Sequence, residues 1–281
     1  MSLVLALMLQ VGPNPVPPPP GAEEAILNRP PRAQASGEFS NPTSAWLAEC
    51  LDLVDQDAAR AHTQAQIRRN ESSGADRVIA NHCLGLASTE LGLWQDAQTA
   101  FTAVRDETPT DEPRSRARAG IMAGNAALIG GDAQGALGLF ETAKADARTA
   151  ASATLEAAAS SDAARALVDL ERFEEALSAL DTATTLEPQN GESWLLKATL
   201  LRRMDRLEDA QSAVETAVGI APMDGRIGLE AGVIAVLSGR EEAARQSWQS
   251  VIDAQPDSLA ARTAKEYLAQ IGPAPEESTT P

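Results

Sequence analysis

The chain has 281 residues, only 3% of them aromatic, and a formal net charge of −17. So negative a protein is not expected to bind nucleic acid, because the phosphates require a basic surface on the protein. Much of the apolar content is alanine, and together with leucine, glutamine, arginine and glutamate it favours an all-α fold.

The first ten residues contain a short apolar run, LVLALML, after Met1 and Ser2. The run is too short to span a bilayer, so no membrane span is expected there. It has the length of a signal-peptide h-region, although no Lys or Arg precedes it and no A-x-A site follows it. We interpret residues 1–10 as a candidate signal region of an exported, periplasmic protein, with a cytoplasmic protein as the alternative.

The next segment, residues 11–43, is rich in proline and holds nine of the 17 prolines of the chain. Consecutive prolines favour polyproline II, so we expect an extended linker. The alternative is a proline-rich ligand for another domain.

Three kinds of position recur every 34 residues between residues 160 and 258: a small residue, a proline and a helix-capping residue. They are Ala176, Ala210 and Ala244; Pro188, Pro222 and Pro256; and Asn190, Asp224 and Ser258. A small residue lets two helices approach closely, and proline ends a helix. The capping residue accepts hydrogen bonds from the N–H groups that open the next helix. A fixed period of this length predicts a stacked repeat array.

The pattern resembles the tetratricopeptide repeat, a helix-turn-helix unit. The resemblance implies an all-α solenoid of stacked hairpins over residues 44–272, closed by a capping helix. We expect an atypical hairpin at 44–75, repeats at about 78–111, 117–150, 157–190, 191–224 and 225–258, a cap at 259–272 and a disordered tail at 273–281.

Two irregularities accompany this pattern. The alanine spacing stretches to 39 residues between Ala97 and Ala136 and to 40 between Ala136 and Ala176. Insertions there should lengthen a loop or a helix end. In the capping helix, we expect Leu259, Tyr267 and Ile271 to face inward.

The two cysteines, Cys50 and Cys83, lie on the first helices of neighbouring hairpins. In an oxidising compartment they can form a disulfide if their Cα atoms come close enough. The alternative is that they are two small buried apolar residues. Together with His62 and His82 they match no zinc-binding spacing, so we expect no metal site.

The sequence contains no G-x-S-x-G motif, no Walker loop and no other recognised catalytic motif. We therefore expect a protein that is not an enzyme and needs no cofactor.

The resemblance also implies that the first helix of each hairpin lines an inner groove that receives peptide segments. The candidate groove residues are Asn125, Arg165, Leu195, Thr199, Arg203, Leu229 and Val233. Arginines above an apolar floor suit a partner segment that carries carboxylates. The alternative is that Arg165, Arg202 and Arg203 pair with Asp169 and Asp205 and only hold the solenoid together.

The sequence thus predicts an adaptor that binds a protein or peptide partner. The alternatives are a structural spacer without a groove ligand and an enzyme with no recognisable motif.

Overall fold

A computed structural model of the chain describes residues 42–272, with the backbone alone for residues 42–44. The chain divides into two units, residues 1–45 and 46–281, and apart from the first turn of the first helix the features below lie in the second. The predicted signal region, nearly all of the linker and the tail fall outside the described residues, so their expected roles stay predictions.

The described residues form thirteen α-helices and no strand. The helices are α1 Pro42–Gln56, α2 Ala58–Glu71, α3 Ala75–Glu90, α4 Trp94–Glu107, α5 Pro113–Ile129, α6 Ala133–Thr149, α7 Ala153–Asp169, α8 Phe173–Leu186, α9 Gly191–Arg203, α10 Leu207–Ile220, α11 Gly225–Leu237, α12 Glu241–Ala254 and α13 Leu259–Ile271.

From α2 onward, each helix packs against the next along the chain, which makes α3–α4, α5–α6, α7–α8, α9–α10 and α11–α12 antiparallel hairpins. The first helices of successive hairpins also contact one another, from α5 to α7, α9, α11 and finally α13. A solenoid is characterised by contacts that each hairpin makes only with its neighbouring hairpins. The predicted all-α solenoid of helical hairpins is confirmed.

The recurring alanines lie where the two helices of a hairpin meet. Ala176, Ala210 and Ala244 are all 0% exposed. Glycines allow a second close approach, since a Cβ at Gly232 would overlap the indole of Trp248. A small residue is therefore required at these crossings, as the period predicts.

Prolines and capping residues separate the hairpins. The helices α8, α10 and α12 end two residues before their prolines. Each capping side chain then accepts a backbone N–H: Asn190 from Ser193 at 3.2 Å, and Ser258 from Ala261 at 3.0 Å. These local signals fix where each helix begins and ends.

The stretched alanine spacing corresponds to longer helices. α5, α6 and α7 each have 17 residues, whereas α9 to α13 have 13 or 14. Partly buried ion pairs hold this part together: Arg105 Nε donates to Asp146 Oδ2 at 2.8 Å, and Arg116 Nε lies 3.5 Å from Asp146 Oδ1. Arg116 also donates to the carbonyls of Arg105 and Thr108, which fixes the turn before α5.

The capping helix differs from prediction at its first residue. Leu259 is 71% exposed, so its predicted inward position is wrong. It directly follows the N-cap, and the buried face of α13 begins only at Ala261 and continues at Ala264. Tyr267 packs as predicted, with its ring centroid 5.2 Å from that of Trp248.

Candidate functional site

A pocket of about 430 Å³ opens on the first helices of three successive hairpins, α5, α7 and α9. We call it the inner-helix pocket. Its apolar floor consists of Leu128, Val168, Leu180, Leu196 and Leu200. Its rim consists of Ile129, Arg165, Asp169, Thr199 and Arg203, and the buried residues Ser161 and Ala164 also line it. An apolar cavity with a few polar groups at the edge is typical of a binding site.

Of the predicted groove residues, Arg165, Thr199 and Arg203 come together at this rim. The other four lie elsewhere. Leu195 is only 8% exposed and belongs to the core between α9, α10 and α11. Leu229 and Val233 are partly buried against the core around Trp248 at the far end of the solenoid.

The fourth, Asn125, belongs to a chain of polar contacts that crosses the inner helices. We call this chain the inner ladder. Asn125 Nδ2 donates to Asp162 Oδ2 at 3.1 Å, and Arg165 lies 3.3 Å from the other oxygen of Asp162. Arg165 also donates to Glu192 at 2.8 Å, and the second oxygen of Glu192 lies 2.8 Å from Arg226. The ladder joins α5, α7, α9 and α11.

The inner ladder changes the acidity of its members. Burial raises the pKa of the Asp162 carboxyl, and the hydrogen bond from Asn125 and the charge of Arg165 only partly oppose this. The nearby charge of Glu192 adds to the rise. At the other end, the hydrogen bond with Asp224 raises the pKa of Arg226, which stays a cation.

The neighbouring arginines of α9 have different environments. Arg202 Nε donates to Glu230 on α11 at 2.6 Å and is half-buried. Arg203 is exposed, its Cζ lies 5.3 Å from the Phe173 ring centroid, and it makes no ion pair within residues 42–272. The alternative pairing with Asp169 and Asp205 is not found within the described residues, because Arg165 pairs with Asp162 and Glu192 and Arg202 pairs with Glu230. Arg203 keeps its charge available at the pocket.

The pocket floor was not predicted. Leu196 and Leu200 line it and pack on the core that α9 shares with α7 and α8, whereas Leu195 and Leu201 on the same helix belong to the next core, with α10 and α11. A helical period alone cannot separate these positions, since both sets belong to apolar stretches of one helix. The sequence likewise identifies Phe173 only as a member of an apolar helix face.

Cys50 and Cys83 approach each other between α1 and α3. Both are buried, at 2% and 0% exposure, and their Cα atoms are 6.3 Å apart. That separation lies within the range that a disulfide requires, and the two Sγ atoms are in bonding contact. This geometry fits the predicted disulfide. Its formation in the compartment where the protein resides stays a prediction.

In their own residues and lengths, the described helices meet the requirements of neither a metal site nor a membrane span. Between residues 42 and 272, no group of three or more His, Cys, Asp or Glu side chains is arranged to hold a metal ion. None of the helices in that range has the length and apolar character needed to cross a membrane.

Comparison with known proteins agrees with this architecture. A family model described as tetratricopeptide repeat matches residues 167–231, which run from α7 into α11 and include the second half of the inner-helix pocket. A search of curated proteins finds no match.

Several solved structures have a similar fold. PilW, titled a widely conserved type IV pilus biogenesis factor, has a TM-score of 0.63 at 15% identity, covering 80% of this chain and 99% of its own. MamA from Desulfovibrio magneticus RS-1 has a TM-score of 0.53 at 17% identity, covering 66% and 100%. TTC0263, a thermophilic TPR protein from Thermus thermophilus, has a TM-score of 0.52 at 20% identity, covering 66% and 94%. Such low identities bear on the fold alone.

Proposed function

We propose that this tetratricopeptide-repeat protein is a non-enzymatic adaptor that binds a segment of a partner protein in the inner-helix pocket. The repeat fold itself suggests a scaffold for protein–protein interaction. The observation that carries the finer proposal is Arg203. Its guanidinium is exposed beside an apolar pocket and makes no ion pair in the described part of a chain whose net charge is −17.

The pocket chemistry indicates what the segment carries. The leucine and valine floor favours an apolar side chain, because burying it removes apolar surface from water. Arg203 can donate two parallel hydrogen bonds to a carboxylate, the geometry that guanidinium groups favour. The aromatic ring of Phe173, whose centroid lies 5.3 Å from Arg203 Cζ, attracts the cation and favours its position beside the pocket. The segment therefore has an apolar anchor and a nearby acidic group.

A second rim group limits the acidity of the segment. Asp169 is exposed and lines the same pocket as Arg203. Its carboxylate can accept backbone N–H groups of an extended segment, but it repels a second acidic side chain. Thr199, half-buried between the floor and the rim, supplies a hydroxyl that can donate or accept. We infer a partner segment with a single carboxylate opposite Arg203.

A site-specific cross-link tests this proposal. A photoreactive amino acid replaces Thr199 in the full chain, and a second variant carries it at Ser178, exposed on α8 and outside the pocket. In the native compartment we expect one product from the Thr199 position, mapped by mass spectrometry to an apolar segment with one acidic residue. No product from Thr199, or equal products from both positions, would favour a structural spacer.

The proposed location is the periplasm. The apolar run at residues 3–9 and the bonding contact of Cys50 with Cys83 support an exported protein, because disulfides persist in oxidising compartments.

A further inference from the structure

The hairpins have a second set of cavities on the side of the second helices. Asn81, Trp194 and Gly228 each lie sixteen residues before the buried alanine of their hairpin, Ala97, Ala210 or Ala244. These three positions line three separate pockets between the second helix of one hairpin and the two helices of the next.

The residue at this position differs between the pockets, although the three cavities have nearly the same volume, about 350 to 360 Å³. Trp194 brings an indole into its pocket, where Nε1 donates to the carbonyl of Pro188 at 3.0 Å and Lys197 lies 5.0 Å from the ring centroid. Asn81 is much smaller, and the cavity beside it measures about 350 Å³. We call this cavity the outer slot.

The outer slot is lined by polar side chains from α2, α3 and α4. Its polar lining includes Arg69, Ser72, Arg77, Asn81, Thr99 and Glu107. Because α2 and α4 are second helices, the slot is separate from the inner-helix pocket, which is lined almost entirely by first helices. Binding in one site therefore need not block the other.

Two polar side chains of the slot lack a hydrogen-bond partner. Asn81 is 1% exposed, and its Oδ1 accepts no hydrogen bond from the described part of the chain. The Ser72 hydroxyl is in the same condition, with Oγ buried and no partner between residues 42 and 272. Buried polar groups are nearly always satisfied, because an unmade hydrogen bond costs free energy. An amide can rotate to present either its oxygen or its nitrogen, so a bound group can correct the deficit.

The charges of the slot favour an anion. Arg77 donates through Nε to Glu107 Oε2 at 2.8 Å, which orients the guanidinium and leaves its two terminal nitrogens available. Arg69 makes no ion pair within the described range. Two guanidinium groups therefore face one carboxylate, a local excess of positive charge on a protein of net charge −17.

We propose that the outer slot binds an oxyanion, supplied by a phosphate monoester or by a small carboxylate. Arg69 and the terminal nitrogens of Arg77 donate to its oxygens. The amide of Asn81 and the hydroxyl of Ser72 complete the hydrogen bonds that the slot lacks. Phosphate and carboxylate share the geometry that guanidinium groups bind in pairs.

The test is an NMR titration of the full chain with inorganic phosphate and, separately, with malonate, at constant ionic strength set by chloride. We expect saturable shifts of the amides around Arg69 and Arg77 with at least one of the two ions. The tighter ion identifies the source as a phosphate ester or a carboxylate. Arg69→Gln should weaken binding about tenfold, because it removes a charge-assisted hydrogen bond. Arg69 has no ion pair to lose, so this variant should fold like the parent.

Two further variants separate a built site from general charge. Arg114→Ala, an exposed arginine outside the slot, should leave the affinity unchanged. Glu107→Gln keeps an acceptor for Arg77 and removes the repelling charge, so it should bind the ion more tightly than the parent. Shifts that grow linearly with either ion, or an equal loss in Arg69→Gln and Arg114→Ala, would overturn the proposal.

Discussion

Arg165 donates from Nη2 to Oε1 of Glu192 across 2.8 Å and so links α7 to α9. The same guanidinium also contacts Asp162, so its charge is already neutralised within the inner ladder. Its side chain is 43% exposed, and exposed ion pairs contribute only about 0.2–1 kcal/mol. We expect Arg165→Ala to lower the free energy of unfolding by about that much, as measured by urea denaturation. If the substitution weakened partner binding more than Arg203→Ala, Arg165 would be the ligand residue instead.

The repeat register predicts a severe effect at Ala210. This residue is 0% exposed where α10 packs against its neighbours. Ala210→Arg forces volume and an unpaired charge into the core, and we expect a loss of roughly 3–5 kcal/mol in unfolding free energy. Thermal melting followed by circular dichroism measures it. Ser212→Arg, exposed on the same helix, should melt like the parent, and the proposed register fails if Ala210→Arg does too.

The cysteine pair gives a prediction about location. Protein isolated from its native host should begin after residue 9, and neither Cys50 nor Cys83 should react with maleimide before reduction. A bond across 33 residues should contribute about 2–4 kcal/mol, so reductant should lower the melting temperature. Intact Met1, together with labelling of both thiols without reductant in denaturant, would contradict export.

Asp162 gives a prediction about pH. Burial raises its pKa above the ordinary value of 3.8. The carboxyl therefore holds its proton more strongly in the native state than in the unfolded state. At every pH above the raised pKa, the charged carboxylate lowers the free energy of unfolding. Asp162→Asn, neutral and of the same shape, should be more stable than the parent at pH 7. The difference in unfolding free energy between variant and parent should shrink as pH falls through the raised pKa towards 3.8, because Asp162 of the parent is then protonated and no longer a buried charge.

Urea denaturation at several pH values between 4 and 7 measures the difference between parent and variant. Asp169→Asn, on an exposed residue of the same helix, is the control for the loss of one carboxylate. A variant less stable than the parent at pH 7 would mean that the contact with Arg165 outweighs burial.

The repeat frame could be predicted from the sequence because its signals are local. An alanine at a helix crossing, a proline after a helix and a capping side chain each act within a few residues. The period of 34 then fixes the order of the helices. The longer α5, α6 and α7 follow from the stretched alanine spacing once a structure shows where the added residues lie.

The pocket could be predicted only in part because it depends on contacts between hairpins. Arg165 and Arg202 reach carboxylates 27 and 28 residues away, on the next inner helix, whereas sequence proximity favoured Asp169 and Asp205. The floor leucines Leu180 and Leu200 are themselves core residues, each 2% exposed, and only the packed helices show that they border an opening. The sequence places Arg203 on the inner face, whereas its contact with Phe173 is seen only in the structure.

The central claim is that Arg203 binds the carboxylate of a partner segment in the inner-helix pocket. The most direct measurement is the affinity of the cross-linked segment, made as a synthetic peptide, for the parent, Arg203→Ala and the control Arg114→Ala at several salt concentrations. We predict that Arg203→Ala weakens peptide binding about tenfold and makes the affinity less dependent on salt concentration. Its melting temperature should equal that of Arg114→Ala. Unchanged affinity and salt dependence in Arg203→Ala, or a collapse of its stability, would contradict the claim.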